Sequence, residues 1–185
     1  MEKKELSNID FLKDCEVGFL LIPVKAIMKQ GLPSLEIGSL SLPETNEGDL
    51  IEVPRWIAEV MEQMNFAEIQ EDSFDIELFK ALSRERIQTS SQISNLNSDF
   101  FQKMRKQISL KKSMTESDLS LKGDYEKFLA SAYDLIALRT SKLVQLACLP
   151  SLSPDLEKKL TPEEKKLFKL INSLVKDWKK TILGE

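Results

Sequence analysis

Residues 48–61 read GDLIEVPRWIAEVM, and within them a sheet-forming pattern gives way to a helix-forming one. Leu50, Ile51 and Val53 favour β-structure and lie beside acidic residues, which predicts a short strand. Pro54 ends that strand, because proline has no N–H for a sheet ladder while its fixed φ suits the first turn of a helix. The apolar residues that follow recur at the three- and four-residue spacing of one helix face: Trp56, Ile57, Val60, Met61 and Met64.

The segment before this junction has the pattern of short strands. Residues 16–25 (EVGFLLIPVK) form a dense apolar run typical of a strand, and Pro23 favours an edge or terminal position in a sheet. Apolar residues on both sides of Gly38 indicate a bent strand or a tight hairpin. Since a few short strands bury little surface by themselves, we predict a small β-rich domain over residues 1–53 that packs against helices or against a partner protein.

The rest of the chain, residues 54–185, predicts a bundle of helices, so the fold class is mainly α with a small N-terminal β-rich domain. A helix after Ser73 would carry an apolar stripe of Ile76, Phe79, Leu82 and Ile87. Residues 113–123 (SMTESDLSLKG) are polar and predict a mobile loop. The longest apolar periodicity follows, and it predicts a helix over about residues 124–148.

The last helix has a strong start signal at residues 161–164 (TPEE). Thr161 can cap the helix, Pro162 suits its first position, and Glu164 can close a capping box. The stripe predicted for this helix consists of Leu167, Ile171, Leu174, Trp178 and Ile182.

The composition is that of a folded protein, with 42% hydrophobic and 30% charged residues in 185. A net charge of −4 argues against a dedicated duplex-binding domain, which is usually basic. Cys15 and Cys148 form no CxxC pair, so we expect two reduced structural thiols. No segment has the pattern of a signal peptide or a membrane span, and a cytoplasmic, nucleoid-associated protein is expected, or a nuclear one if the source is eukaryotic.

Catalytic motifs are lacking in the sequence. The chain contains no histidine, which removes the commonest general base, zinc ligand and nucleophile partner. It contains neither of the usual glycine-rich phosphate-binding patterns. An active site built from carboxylates or lysines stays open as an alternative. We expect a binding or scaffolding protein, not an enzyme, with no catalytic, cofactor-binding or metal-binding residues.

Arg139 lies inside the apolar stripe of the long predicted helix. A guanidinium keeps its charge when it is buried, so Arg139 requires a carboxylate or helix C-terminal carbonyls as a partner. The partner can belong to the same chain, as an intramolecular ion pair, or to another subunit. Both interpretations follow from the sequence.

One predicted helix, starting near residue 98, has a basic face that suggests an alternative function. Phe101, Lys103, Lys106 and Lys111 combine an aromatic ring with positive charges, which are the parts that bind single-stranded nucleic acid. A solvated helix face above an apolar core stripe explains the same pattern. A helical module that binds single-stranded nucleic acid is therefore the alternative to a scaffold.

Three segments resemble motifs of GINS subunits, the small proteins that join the replicative helicase to its activating factor. The first is the strand-to-helix junction at residues 48–61, with Val-Pro, one residue, tryptophan, an aliphatic residue and alanine. The second, residues 133–147 (YDLIALRTSKLVQLA), resembles the long helix of the family, and the third, residues 160–168 (LTPEEKKLF), resembles its closing helix. Residues 1–50 match the family poorly.

The resemblance implies a helical A domain preceded by a small B domain, as in the archaeal-like type of subunit. It implies a non-enzymatic scaffold in a heterotetramer, without cofactors, that bridges the MCM helicase and a RecJ-like helicase cofactor at the replication fork. The expected partners also include a sister GINS subunit of the A-then-B type, with DNA contacted indirectly or weakly and no membrane. The candidate interface residues are Trp56, Ile57, Val60, Arg139, Lys142 and Leu143.

Overall fold

A computed structural model describes residues 14–38, 40–89, 92–149 and 151–184. The chain is mostly helical (64%), with a small antiparallel sheet near the N-terminus, which confirms the predicted class at that level. It divides into two compact units, Met1–Asp72 and Ser73–Glu185. The first unit therefore ends at Asp72 and not between residues 53 and 54, because the helix after Pro54 packs with the strands. Residues 1–13 of the predicted β-rich domain lie outside the described residues.

In its described residues, the first unit contains a short helix, five strands and a second helix. The described part of α1 covers residues 14–21. The following elements are β1 (Pro23–Met28), β2 (Leu35–Ile37), β3 (Leu40–Leu42), β4 (Leu50–Pro54), α2 (Arg55–Gln63) and β5 (Ala67–Ile69).

β1 is the central strand of a three-stranded antiparallel sheet with the order β4-β1-β5. Its alternate residues Val24, Ala26 and Met28 are buried, as expected for a strand with one covered face. α2 covers that face with Ile57, Ala58 and Met61. β2 and β3 form a tight hairpin, one of the two alternatives predicted around Gly38, which has a φ of 63°.

The strand predicted over residues 16–25 is wrong in its first part, since residues 16–21 are helical and the strand starts at Pro23. A short apolar run cannot by itself distinguish a buried helix from a strand. Here the helix places Phe19, which is 7% exposed, against the buried guanidinium of Arg55, 4.3 Å from its ring centre. That cation–π contact joins α1 to the start of α2.

The second unit is entirely helical in its described elements. They are α3 (Phe74–Ile87), α4 (Phe100–Ser117), a 3-10 helix (Leu119–Leu121), α5 (Lys122–Ala147), α6 (Pro154–Lys158) and α7 (Pro162–Leu183). α5 packs against α3, α4 and α7.

Of the stripe predicted for α3, Leu82 is buried and the other three residues are not. Phe74, Leu78 and Leu82 lie in the core, whereas Ile76, Phe79 and Ile87 are exposed. α3 carries apolar residues on two faces, and the contacts with α4 and α5 decide which face is buried.

Residues 113–123, predicted as a mobile loop, are helical at nearly every position. The hydroxyls of Ser113 and Thr115 donate to carbonyls one turn back, at Leu110 and Lys111, so the polar sequence is compatible with α4. The carboxylate of Asp118 then accepts a hydrogen bond from the backbone N–H of Ser120 and starts the 3-10 helix.

The predicted start of the last helix is confirmed. The hydroxyl of Thr161 accepts a hydrogen bond from the N–H of Glu164 at 3.3 Å, and the carboxylate of Glu164 accepts one from the N–H of Thr161 at 3.0 Å. This is a complete capping box with Pro162 at the first helical position.

Candidate interaction surfaces

A network of charged side chains is buried at the centre of the second unit, around Arg139. Its guanidinium donates to both carboxylate oxygens of Glu164, through Nε at 2.5 Å and Nη2 at 2.7 Å. Nη1 donates to the carboxylate of Glu85 and to the backbone carbonyl of Ser94, both at 2.9 Å. A planar guanidinium is well suited to such forked contacts. The network thus joins α3, the connection before α4, α5 and α7.

Lys142 completes the network one helical turn after Arg139. Its ammonium donates to the carboxylate of Glu85 at 2.7 Å and to the backbone carbonyl of the same residue at 2.9 Å. Burial by itself raises the pKa of Glu85, but the hydrogen bonds from Lys142 and Ser94 and the charge of Arg139 together lower it below its ordinary value. Glu85 is therefore ionised, and two cations balance the two carboxylates.

Four of the six candidate interface residues are enclosed within the chain. Arg139, Lys142, Leu143 and Ile57 are buried, so none of them offers a surface to another protein. The intramolecular ion pair, one of the two interpretations of Arg139, is the one present. The subunit contact predicted through Arg139, Lys142 and Leu143 is corrected accordingly. Both carboxylates lie within reach of the guanidinium because the helices that carry them pack on α5.

The sequence also contains signals for the partners of Arg139. Glu164 was identified as a cap, and its second role follows from the packing of α7. Glu85 was missed, although it follows Leu78 at seven-residue spacing and so lies on the buried face of α3. Glu85 and Arg139 are both charged residues at core positions of their helices, and this shared feature is the signal that could have identified them as an ion pair.

The remaining two candidates, Trp56 and Val60, lie on the outer face of α2. They are 39% and 44% exposed, and Met64 at the end of the helix is 63% exposed. At the start of the same helix, the buried guanidinium of Arg55 forms two hydrogen bonds with the carboxylate of Glu71, at 2.5 and 3.0 Å. The ion pair holds the start of α2, so the apolar face is presented on a fixed helix. We call Trp56, Val60 and Met64 the α2 face.

A second exposed apolar surface lies on α7. Leu174, Trp178 and Ile182 are 70%, 61% and 65% exposed. They belong to the predicted stripe of the last helix, of which Leu167 is 36% exposed and Ile171 is half-buried. We call Leu174, Trp178 and Ile182 the α7 face.

The basic face of α4 is largely engaged within the chain. Phe101 is half-buried against the core and contacts the ring of Phe100 edge-on at 5.7 Å. The ammonium of Lys103 lies 3.0 Å from Asp99, and that of Lys111 lies 2.9 Å from Asp75. Lys106 is half-buried. Stacking on a base requires an accessible ring face, and the packing of Phe101 restricts access to it.

Two clefts of modest size occur in the second unit. One, of about 340 Å³, lies between α3, α4 and α5, and its charged residues include the paired Lys111 and Asp75. The other, of about 210 Å³, lies between α6 and α7 beside Phe168. Within the described ranges, no group of three or more Cys, Asp or Glu side chains is arranged to hold a metal ion.

No described helix has both the length and the apolar character needed to span a membrane. Compared with known proteins, the sequence matches no protein-family model and no curated protein significantly.

Proposed function

We propose that this chain is a non-enzymatic subunit of a GINS-like complex that scaffolds the MCM helicase and a RecJ-like cofactor at the replication fork. The α2 face is the observation that carries the proposal. Trp56 and Val60 belong to the strand-to-helix junction that resembles the GINS motif, and together with Met64 they present large apolar side chains to solvent.

The physical argument is the cost of leaving such a face in water. Taking one large apolar side chain from full exposure to full burial is worth about 1.5–3 kcal/mol, and a partly exposed side chain contributes only the share that is still in water. Trp56 and Val60 are 39% and 44% exposed, and together with Met64 they form one side of a helix that Arg55 and Glu71 hold in place. A fixed apolar helix face is typical of a surface that packs onto a helix of another subunit.

The order of the two units supports the same proposal. A sheet-containing unit precedes a helical unit, which is the order implied by the resemblance to the B-then-A type. The partner expected for such a chain is a sister subunit of the A-then-B type.

The test is size-exclusion chromatography with light scattering, on the chain alone and on the chain co-expressed with an A-then-B subunit. We expect a stable complex that contains both chains. The double variant Trp56→Glu/Val60→Glu should lose it, since burial of two carboxylates in an apolar contact is costly. Leu119→Glu, which adds a charge at an exposed leucine of the second unit, is the control. A chain that stays monomeric beside the sister subunit refutes the proposal.

A further inference from the structure

Four lysines of α7 form a single stripe along the helix. At about 100° per residue, they fall within roughly 60° of one another around the helix axis: Lys165, Lys169, Lys176 and Lys180. Residues 165–183 contain six lysines and one aspartate, a net charge of +5 in a chain whose total is −4. We call the four residues the lysine stripe.

The lysine stripe has no counter-ion within the part of the chain that the structure describes. None of its ammonium groups forms an ion pair or a hydrogen bond with a described residue, whereas Lys111 on α4 pairs with a carboxylate at 2.9 Å. Asp177 lies three residues before Lys180 and forms no ion pair with it. The first two lysines of the stripe lie four residues apart, as do the last two, and like charges at this spacing repel each other. Bound anionic groups would relieve this repulsion.

A cleft with an apolar floor lies between α6 and α7, at the N-terminal end of the lysine stripe. Its lining consists of Leu152, Glu157, Leu160, Lys165, Phe168 and Lys169. Leu160 is 4% exposed and packs in one cluster with Ile93 and Leu143, so the floor is fixed by the core. The cleft has a volume of about 210 Å³, whereas small-molecule pockets are usually about 300–1,000 Å³. It therefore accommodates one apolar side chain and not a whole metabolite.

The spacing of the lysine stripe matches carboxylates on an extended chain. Residues four apart on a helix lie about 6 Å apart along its axis, and alternate residues of an extended peptide lie about 6.6 Å apart. The stripe spans about 22 Å from Lys165 to Lys180, which is the length of roughly seven extended residues. The carboxylate of Glu157 at the cleft repels acidic groups, so an acidic peptide anchored there is directed along α7 and away from α6.

The chemistry of the cleft favours a peptide over a single-stranded nucleic acid. Base stacking requires accessible ring faces, and Phe168, the aromatic residue of the lining, is half-buried beside two leucines. The chain is acidic overall, which opposes the approach of a long polyanion. A short acidic segment with an apolar anchor matches both the cleft and the lysine stripe.

We propose that the cleft and the lysine stripe together bind an extended acidic peptide of a partner protein. One leucine or phenylalanine of the peptide enters the cleft, and the aspartates or glutamates that follow it pair with the lysine stripe. The inference goes beyond the function proposed above, because it uses neither Trp56 nor Val60 and holds for any partner with this chemistry.

The experiment uses the full chain and a fluorescently labelled peptide of about ten residues, with one leucine followed by glutamate at every second position and serine between. We expect the fluorescence anisotropy of the peptide to rise on addition of the protein, with an affinity that falls as salt increases. Replacing the leucine of the peptide by serine should weaken binding at least about tenfold, because the cleft then stays empty.

The double variant Lys169→Glu/Lys176→Glu should weaken binding about tenfold, since two ion pairs are lost and two repulsive contacts are gained. Both lysines are exposed, so the helicity measured by circular dichroism should stay the same. Lys80→Glu/Lys112→Glu, at two exposed lysines of α3 and α4, is the matched control. It makes the same change in net charge and should leave the affinity nearly unchanged.

Four results would overturn the inference. One is no binding of the acidic peptide at millimolar concentration, and another is equal affinity of the leucine and serine peptides. The third is equal affinity of the lysine-stripe variant and its control. The fourth is tighter binding of an oligothymidylate or of phosphatidylserine vesicles than of the peptide, since the lysine stripe would then serve a nucleic acid or a membrane. The sister-subunit complex is tested through the α2 face, so its survival beside any of these results would leave the proposed function in place.

Discussion

Replacement of Arg139 by methionine should destabilise the second unit strongly. Arg139 is 1% exposed and donates to two buried carboxylates, so its removal leaves negative charge without a counter-ion. Among the described residues, Glu85 would keep Lys142 and Ser94, whereas Glu164 would keep the N–H of Thr161. Removing one partner of a buried ion pair costs about 3–5 kcal/mol. We expect Arg139→Met to lower the free energy of unfolding by this amount, a large share of the roughly 5–15 kcal/mol of a typical domain.

Urea unfolding followed by circular dichroism at the helical band measures this change. Arg86→Met is the matched control, because Arg86 forms an ion pair of similar length, 2.8 Å to Asp134, with both side chains 58% exposed. Such an exposed pair contributes less than about 1 kcal/mol. Adding Glu164→Gln to Arg139→Met should restore part of the loss by removing the uncompensated charge. Equal effects of Arg139→Met and Arg86→Met would refute the reasoning.

Three further predictions concern stability. The pKa of Glu85 is lowered from 4.5 in the fold, so its contribution to the free energy of unfolding is present above about pH 4.5 and is lost as pH falls through the lowered value. When the free energy of unfolding is measured against pH, Glu85→Gln should remove this acid-dependent contribution. Thr161→Ala should lower the free energy of unfolding in urea by about 1 kcal/mol, because it removes the N-cap hydroxyl, whereas Thr161→Ser keeps that hydroxyl and should retain most of the stability. Arg55→Met should cost about 1.5–3 kcal/mol through loss of the charged hydrogen bonds to Glu71, and a melting temperature equal to that of the native chain would contradict it.

The elements that could be predicted from the sequence are those whose signals are local. The capping box at Thr161 and Glu164 needs only four consecutive residues, and the long apolar period of α5 spans many turns. The hairpin at Gly38, one of the two alternatives predicted there, likewise depends on neighbouring residues. These three features were predicted because no distant contact had to be known.

The elements that were missed depend on contacts between distant residues. Residues 16–21 become helical where Phe19 meets Arg55, and the buried face of α3 is the one that Phe100 and Phe128 contact through Phe74. The same applies to the charged network, since Glu85 and Arg139 are joined only after α3 has packed on α5. Periodicity indicated an arginine in the core but could not name its partner.

For the candidate surfaces, apolar helix residues could be found from the sequence, but which of them are exposed to solvent could not. Trp56 and Val60 are exposed as proposed for a contact face, whereas Ile57, on the same short helix, faces the sheet. One residue of helical rotation, about 100°, separates a surface position from a core position. The stripe of the last helix was likewise predicted, but of its five residues only Ile171 is half-buried and the other four are exposed.

The double use of Glu164 has a consequence for the order of events when the chain is synthesised. One carboxylate both starts α7 and neutralises Arg139, which lies earlier in the chain. Until Glu164 has left the ribosome, the α5 guanidinium lacks its second counter-ion and must stay hydrated. We therefore expect the nascent helical unit to pack fully only after α7 has emerged.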